Sequence, residues 1–382
     1  MHVLQIGKFY PPYKGGMETH LQMLCTELKQ HVKLKVIVAN TKLTTEHEDM
    51  QGVSVTRAGR LCQPAGAPIC LSMAREIRSS PADIVHIHVP NPTAILAYLA
   101  SGHRGRLVIT YHSDTLRQKV LTRLFDPILE QAMHRAAAII ATSPNLIDHS
   151  VVLSRWRDRC RVIPFGVDSE QFDRINSTEV ARIQEKFGPR IVLAVGRLVY
   201  YKGFEYLVQA MPSVKANLII IGKGPLKKRL LALARDSGVP GRVHILEHVE
   251  DAVPFFQAAN VFALPSVART EAFGIVQLEA MAAGKPVVNT DLESGVPYVS
   301  LHNITGITVP PKDPKSLAAA LNEIINNPKR AAALGSAARS RARQEFAVAK
   351  MITRTLLAYD EVTQNGVQSK HAVANIVLDQ SA

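Results

Sequence analysis

Two glutamates in the segment TEAFGIVQLEAMAAGKPVV have a spacing that is informative about chemistry. Glu271 and Glu279 lie eight positions apart, and Gly274 between them is expected to open an apolar-periodic helix that stops at Gly284. If most of that interval is helical, the helical rise separates the two carboxylates by about 10–12 Å, too far to share one reacting atom. We therefore expect the two carboxylates to bind different parts of one long ligand.

The start of this predicted helix offers backbone N–H groups to an anion. The N–H groups of Gly274, Ile275 and Val276 would lack helical partners and would favour a diphosphate. Glu271 would lie just outside the helix N-terminus and Glu279 two turns inside it. A nucleotide-sugar has this layout of sugar hydroxyls, diphosphate and ribose diol. A solvated helix residue is the ordinary alternative for Glu279.

A second segment, VGRLVYYKGFEYLVQA, carries two cations in a loop. Arg197 and Lys202 follow the predicted strand Arg190–Val195 and precede a predicted helix. Ligands bind at the carboxyl ends of parallel strands in α/β sheets. Two fixed cations there suit a diphosphate leaving group without a metal ion. Two surface cations beside a turn are the alternative that the sequence leaves open.

Three further loops after predicted strands carry candidate ligand contacts. Gly15 and Gly16 precede a helix, and without a Cβ their backbone can approach a phosphate or a sugar. Gly222 and Gly224 form a weaker signal, and His112 lies just past another strand. A flexible loop and a structural hydrogen-bonding histidine are the ordinary alternatives. The first loop has neither Gly-x-Gly-x-x-Gly nor the Walker lysine motif, which argues against a dinucleotide dehydrogenase and a P-loop nucleotidase.

The elements that must position these loops are short apolar runs with amphipathic stretches between several of them, a pattern typical of buried parallel strands alternating with helices. In the first half of the chain the runs are His2–Ile6, Leu34–Ala39, Ile84–His88, Leu107–Thr110 and Ala138–Thr142. In the second half they are Arg190–Val195, Leu218–Ile221, Val243–Leu246, Val261–Ala263, Pro286–Asn289 and Ile307–Val309. The sequence therefore predicts an α/β protein of two domains, with the ligand in the crevice between them.

The predicted boundaries follow from a break between the two series. A cluster of Pro164, Gly166 and Asp168 and the polar stretch after it place a hinge around 165–189. The predicted N-terminal domain is 1–170 and the second domain is 186–344. A last helix is expected at about 345–364, and 365–382 is expected to be a flexible tail.

Composition and charge restrict the class of protein. The 382 residues are 47% hydrophobic and 20% charged, which is typical of a folded protein. Lys and Arg outnumber Asp and Glu by 45 to 32, and this excess favours phosphates, nucleotides, nucleic acid or acidic lipid without choosing among them. The four cysteines form no metal or disulfide pattern, and neither a signal peptide nor a long apolar span is visible, so a cytoplasmic protein is expected.

Together these segments resemble the glycosyltransferases of family 4, which have the GT-B fold. The resemblance rests on the Glu-x7-Glu element, the Gly-Arg-x5-Lys-Gly loop at 196–203 and VIPFGVD at 162–168, and it covers nearly the whole chain. It implies two facing Rossmann-like domains with an interdomain cleft. The first domain would bind the acceptor, the second would bind the donor, and the last helix would cross back to the first.

The resemblance also assigns roles to residues. It implies that Arg197 and Lys202 hold the diphosphate, that Glu271 and His112 contact the donor sugar, and that Glu279 holds the ribose. It places the donor against Gly15, Gly16, Gly222, Gly224, Phe273, Gly274, Ile275, Val276 and Glu279. Ala272, Glu247 and Tyr298 depart from the usual family residues, which are Gly, Gly and Glu.

Family members retain the anomeric configuration, and the leaving phosphate is thought to take the acceptor proton. The resemblance therefore implies no enzymic nucleophile, no metal and no cofactor, since the nucleotide-sugar is a substrate. The implied setting is bacterial surface-polysaccharide or glycolipid assembly, with a GDP- or UDP-hexose as donor and a glycan or lipid-linked acceptor. No nucleic-acid partner is expected.

Residues 115–134 suggest a membrane contact. Apolar residues recur there at helical spacing with basic neighbours, and Asp126-Pro127 favours two short helices over one. Such a helix could rest on the inner face of an anionic membrane, or it could be an ordinary core-facing helix.

Two other functions stay open at this stage. A non-catalytic sugar-nucleotide-binding protein would share the donor residues. A glycoside hydrolase using Glu271 and Glu279 is disfavoured, because its carboxylates must lie within about 5–10 Å of each other.

Overall fold

The structure is a computed structural model that describes residues 1–13, 15–114 and 119–363. The chain folds into two compact units. The first unit contains Met1–Thr142, Ser150–Pro164 and the described residues from Ala349 onward. The second unit contains Ser143–His149 and Phe165–Val348. The predicted flexible tail at 365–382 lies outside the described residues.

The first unit is built on an eight-stranded sheet in the order β3-β4-β2-β1-β5-β6-β7-β8. Its strands are β1 His2–Ile6, β2 Lys33–Ala39, β3 Glu46–Met50, β4 Val53–Ala58, β5 Ile84–Val89, β6 Arg106–Tyr111, β7 Ala136–Ala141 and β8 Cys160–Val162. Its helices are α1 Gly16–Leu28, α2 Met73–Ser79, α3 Pro92–Ser101, α4 Lys119–Arg135 and, late in the chain, α14 Val348–Thr363. The strand pairs are parallel except β3 with β4, so the sheet is of the predicted α/β type.

The second unit has a six-stranded parallel sheet in the order β11-β10-β9-β12-β13-β14. Its strands are β9 Ile191–Val195, β10 Asn217–Ile221, β11 Val243–Leu246, β12 Val261–Leu264, β13 Val287–Thr290 and β14 Gly306–Val309. Its helices are α5 Pro144–His149, α6 Ser177–Phe187, α7 Phe204–Ala210, α8 Lys227–Asp236, α9 Val253–Ala258, α10 Val276–Ala282, α11 Val296–Val299, α12 Pro314–Ile325 and α13 Pro328–Glu345. Numbered within the unit, the order is 3-2-1-4-5-6, that of a Rossmann sheet.

The segment predicted as a hinge is part of the second unit. Helix α6 lies within it, and its Ile183 and Phe187 are buried in one core with Phe172. Most positions of this helix are polar, so its two buried apolar positions do not stand out in the sequence pattern. The long segment of the second unit therefore starts at Phe165, whereas the predicted second domain starts at residue 186.

Helix α4 also differs from the prediction of two short helices. It runs unbroken from Lys119 to Arg135 with Pro127 inside it. Proline removes one backbone hydrogen bond from a helix interior. Beyond Pro127, Ala132 and Met133 are fully buried, and this packing holds the second half of the helix in place.

Among the described residues, no helix combines the length and the apolar character needed to cross a membrane.

Candidate functional site

The strand order of the second unit marks where a ligand site is expected. Strands β9 and β12 are neighbours at the point where the connections leave in opposite directions. In open parallel sheets, ligands bind beyond the carboxyl ends of the strands at this switch point. The loop after β9 carries Arg197 and Lys202, and the loop after β12 carries Glu271.

Lys202 and Glu271 form a buried ion pair across these two loops. Lys202 Nζ lies 2.6 Å from Glu271 Oε2, and the two residues are only 9% and 7% exposed. Ser266 Oγ donates a hydrogen bond of 3.0 Å to the same carboxylate oxygen. Thr290 Oγ1 donates to the Ser266 carbonyl at 2.6 Å and ties this loop to β13. The pair is thus held in a fixed geometry beside the switch point.

Arg197 lies on the same loop as Lys202 but is exposed. Its Nη2 donates a hydrogen bond of 2.9 Å to the hydroxyl of Tyr201, which orients the guanidinium. The loop therefore presents one buried cation, already paired with a carboxylate, and one cation that solvent or an anionic ligand can reach.

Two loops of the second unit, one with Gly196 and one with Gly222 and Gly224, pack directly against each other. Leu198 N–H donates to the Lys223 carbonyl at 2.8 Å, and Gly196 N–H donates to the Ile221 carbonyl at 2.9 Å. A Cβ on Gly222 would overlap the Gly196 carbonyl oxygen. Glycine at 222 is therefore required by this backbone contact, whether or not a ligand approaches the loop.

The helix expected to open at Gly274 begins two residues later, at Val276. Gly274 has a φ of 71°, a left-handed conformation that ends the loop and is not helical. A Cβ there would lie 2.5 Å from Leu264 Cδ2 and 2.8 Å from Gln277 Nε2. Only part of the interval between the two glutamates is helical, so the separation deduced from a continuous helix does not apply.

A buried amide network fixes the same loop. Asn289 Nδ2 donates to Gln277 Oε1 at 2.9 Å, and Gln277 Nε2 donates to the Phe273 carbonyl at 3.1 Å. The Phe273 side chain is buried in the core, with its ring 5.0 Å from that of Phe165. A contact between Phe273 and the donor nucleotide-sugar would therefore have to use the backbone of Phe273. The side chain of Ile275 is only partly buried.

Glu279 lies on α10 and is partly buried. Burial raises the pKa of its carboxyl to about 7. The carboxylate and the protonated acid are then comparably populated near neutral pH. This behaviour is unlike that of the solvated helix residue considered from the sequence.

In the first unit, Gly15 caps α1 and Gly16 is its first residue. Glu18, in the first turn, is buried, and a Cβ on Gly15 would overlap its carboxylate. His112 follows β6 and is 5% exposed. Its backbone N–H donates to the Val89 carbonyl at 2.9 Å. Burial lowers the pKa of His112 to about 3, so the imidazole is neutral.

His112 is part of a buried polar cluster that the sequence pattern did not reveal. The cluster also contains three other histidines and two further polar side chains, namely His20, His86, His88, Gln5 and Tyr359. His86 and His88 alternate in the strand IVHIHV, and alternation puts both on one face of a sheet. This two-residue period of histidines was the signal in the sequence that could have revealed the cluster.

In the part of the chain that the structure describes, no group of three or more His, Cys, Asp or Glu side chains is placed to hold a metal ion.

Comparison with known proteins identifies the class of molecule that has this fold and these loops. The family model described as Glycosyltransferase Family 4 matches residues 14–171, and the one described as Glycosyl transferases group 1 matches 176–341. The D-rhamnosyltransferase WbpZ of Pseudomonas aeruginosa is 36% identical over 299 residues, which is 77% of this chain and 78% of that protein. The chain therefore belongs to glycosyltransferase family 4, and it is a glycosyltransferase.

Two more relatives cover more of the chain. The O-antigen chain mannosyltransferase C of Escherichia coli is 28% identical over 374 residues, 96% of this chain and all of that protein. A GDP-mannose-dependent phosphatidylinositol monomannoside mannosyltransferase of Mycolicibacterium smegmatis is 28% identical over 361 residues, covering 88% of this chain and 92% of that protein.

A solved structure shows the fold. Anabaena Alr3699/HepE in complex with UDP-glucose has a TM-score of 0.79 to this chain at 20% identity, covering 94% of this chain and 99% of that one. The predicted fold, an α/β protein of the GT-B class, is confirmed.

Proposed function

We propose that the protein transfers a mannosyl or D-rhamnosyl unit from a GDP-sugar to a growing surface glycan or glycolipid, with retention of the anomeric configuration. The observation that carries the proposal is the buried pair of Lys202 and Glu271 at the switch point, with Arg197 exposed beside it. A cation and a carboxylate fixed side by side suit a ligand that joins a diphosphate to a sugar.

We assign the two residues of the pair to different parts of the donor nucleotide-sugar. An ammonium group has three donors, and one of those of Lys202 is used by Glu271. We assign the others to the diphosphate, together with Arg197. Glu271 uses Oε2 for Lys202 and Ser266, and we assign its Oε1 to a sugar hydroxyl. Glu279 would accept hydrogen bonds from the ribose diol.

The same cations support the chemical step. Negative charge grows on the diphosphate as the glycosidic bond breaks, and preorganised cations stabilise that charge best where water is excluded. Arg197 and Lys202 would supply this stabilisation without a metal ion. The acceptor hydroxyl would attack from the face that the diphosphate leaves and give its proton to a leaving phosphate oxygen. No enzymic nucleophile takes part in this scheme.

The relatives support the choice of sugar and base. Two of them are named as mannosyltransferases and one as a D-rhamnosyltransferase, and one is named as GDP-mannose-dependent. D-Rhamnose is D-mannose without its 6-hydroxyl, so one pocket can recognise the features that the two sugars share. The named O-antigen and phosphatidylinositol acceptors support a lipid-linked glycan as acceptor.

The proposal is tested first by donor binding. Thermal unfolding is followed with UDP, GDP, ADP and their common sugar conjugates, without metal and then with magnesium. A ligand that binds only the folded state raises Tm. We expect GDP and GDP-sugars to raise Tm without metal, and Glu279→Ala to abolish the shift. No shift with any nucleotide at millimolar concentration would refute the donor site.

Turnover separates an enzyme from a binding protein. GDP-[14C]mannose and GDP-D-rhamnose are incubated with lipid-linked oligosaccharide, and the anomeric configuration of the product is read from its NMR coupling constants. Transfer with retention supports the proposal. Donor binding without transfer to any such acceptor would favour the non-catalytic alternative.

We also propose that the protein works at the cytoplasmic face of the membrane and reaches its acceptor there. The net charge of +13 supports attraction to anionic lipid. The proposed membrane contact is the segment 115–134. Its first residues, 115–118, lie outside the described residues. Flotation with anionic and with neutral vesicles tests the contact. Binding to anionic vesicles that weakens with salt is expected, and no binding even at low salt would refute it.

A further inference from the structure

Tyr201 contacts both cations of the loop that follows β9. Its hydroxyl oxygen lies 2.9 Å from Arg197 Nη2, and the centre of its ring lies 5.9 Å from Lys202 Nζ, within the range of a cation–π contact. Tyr201 is partly buried, and Arg197 beside it is exposed. A ligand bound by both cations would therefore lie close to the tyrosine hydroxyl.

The backbone of Tyr201 is fixed by the neighbouring loop of the second unit. Val267 N–H, in the loop after β12, donates to the Tyr201 carbonyl at 2.8 Å. Gly203 has a φ of 66°, and a Cβ on it would overlap the Pro265 carbonyl oxygen. The two loops are thus joined on both sides of Lys202, and the position of the tyrosine is set before any ligand binds.

The hydrogen bond between Arg197 and Tyr201 leaves the proton of the tyrosine hydroxyl unused. A guanidinium group has N–H donors and no acceptor, so Arg197 donates and the hydroxyl oxygen accepts. Among the described residues, no hydrogen bond takes the proton of the hydroxyl itself. Because this hydrogen bond lies at the protein surface, the O–H group can donate a second one to a ligand.

We propose that the Tyr201 hydroxyl binds the diphosphate of the donor directly, by donating its own proton to a phosphate oxygen while it accepts a hydrogen bond from Arg197. This role rests on the proposed function, because it needs a nucleoside-diphosphate sugar at this loop. A phosphate oxygen carries negative charge, so an O–H donor forms a charge-assisted hydrogen bond with it. The charge grows as the glycosidic bond breaks, and the same hydrogen bond would stabilise the leaving diphosphate.

The variant Tyr201→Phe removes the hydroxyl and keeps the ring. Binding of GDP is measured by calorimetric titration, and binding of guanosine is measured by ligand-observed NMR. We expect the affinity for GDP to fall at least about tenfold, the scale of one lost hydrogen bond to a charged group. The affinity for guanosine, which has no phosphate, should stay unchanged. A purely structural role of the tyrosine would weaken the binding of both ligands alike.

Tyr206→Phe is the matched control for that variant. Tyr206 lies on α7, directly after this loop, and is also partly buried. Removing its hydroxyl should leave the affinity for GDP unchanged. A wild-type affinity for GDP in Tyr201→Phe, or an equal loss for GDP and for guanosine, would overturn the proposal.

A second background separates a direct contact from an effect through Arg197. In Arg197→Met the side chain can no longer donate to the tyrosine, so any remaining effect of the hydroxyl is its own. We expect Tyr201→Phe to weaken GDP binding several-fold in this background as well. No further loss there would mean that the tyrosine only holds the guanidinium, and the direct contact with the diphosphate would be refuted.

Failure of the proposed function would give a different result. A wild-type protein that binds no nucleoside diphosphate would refute the donor site, and the role of Tyr201 with it. A wild-type protein that binds GDP normally, together with an unaffected Tyr201→Phe, would refute only the role of Tyr201. Binding of UDP in place of GDP would show that the proposed base is wrong, and UDP with uridine would then test the hydroxyl in the same way.

Discussion

At the scale of single residues, the pair of Lys202 and Glu271 has the largest predicted effect. Removing one member of a buried ion pair leaves an uncompensated charge and costs about 3–5 kcal/mol of stability. We expect Lys202→Met to show this loss in urea denaturation and to reduce kcat at least about 100-fold, as for other preorganised electrostatic groups.

The exposed pair of Lys227 and Glu247 provides the control for that variant. The charged atoms of Lys227 and Glu247 are 2.5 Å apart, but both side chains are more than a third exposed to solvent. Ion pairs that stay in contact with solvent contribute little to stability. Lys227→Met should therefore be nearly neutral, and an equal loss of stability in the two variants would show that burial of the pair is unimportant.

Glu279 gives a second prediction at the residue scale. Its pKa is raised to about 7, and a carboxylate is the better acceptor for the two hydroxyls of a ribose. Donor affinity should therefore fall as the pH drops through 7, by about tenfold between pH 8 and pH 6, since one proton must be lost to bind. Calorimetric titration with the GDP-sugar measures it, because the diphosphate of a sugar nucleotide does not titrate in this range.

In Glu279→Gln the dependence of affinity on pH should disappear, with weak binding throughout. A wild-type affinity that is constant between pH 6 and 8 would contradict the ribose assignment.

At the scale of elements, the loop that ends at Gly274 can be tested with a matched pair of glycines. Gly274 and Gly238 both have a φ of 71°, but a Cβ would meet Leu264 and Gln277 at Gly274 and nothing within 4 Å at Gly238. Gly238→Ala should cost about 1 kcal/mol for backbone conformation alone. Gly274→Ala should cost a further 1–3 kcal/mol, roughly, for overpacking, and should reduce donor binding.

Urea denaturation and thermal shift with GDP measure the two effects. Equal stability losses in the two variants would mean that the loop before α10 adapts freely, which would contradict its fixed geometry.

The elements also show what the sequence could predict and why the rest was missed. Strands covered on both faces, such as β9 and β10, are continuous apolar runs and were predicted within one residue. The edge strand β3, EHEDM, is polar because its side chains are exposed or only partly buried, so its pattern is that of a loop. The missed helix α6 has only two buried positions in eleven residues.

The site shows the same division. Motif loops such as those carrying Arg197, Lys202 and Glu271 could be predicted because each follows a recognisable strand. The ion pair between two of them could not be predicted, because it depends on which strands become neighbours. The partners of His112 come from positions as distant as Gln5 and Tyr359, and no local pattern connects them.

At the scale of the whole molecule, the histidine cluster predicts how stability depends on pH. Burial lowers the pKa of all four members, His20, His86, His88 and His112, so the unfolded chain binds more protons than the folded one. Stability of the first unit should therefore fall as the pH drops below the unfolded value of about 6.5. The loss is on the order of 1 kcal/mol for each histidine between pH 7.5 and 5.5.

The single tryptophan, Trp156, belongs to the first unit, so its fluorescence follows the unfolding of that unit in urea. The midpoint should fall steeply between pH 7.5 and 5.5. Glu279 titrates in the opposite sense, because its raised pKa favours the folded state as the pH falls, but it belongs to the second unit. A midpoint independent of pH would contradict the neutral burial of the cluster.

The order of the first unit along the chain has a consequence for synthesis. Gln5 is translated near the start, whereas Tyr359, which completes its hydrogen bonds, follows the entire second unit. On the ribosome the second unit can finish folding while the first still has polar groups buried without their last partner. Chaperones that hold unfinished chains would then be needed most for the part of the protein that is made first.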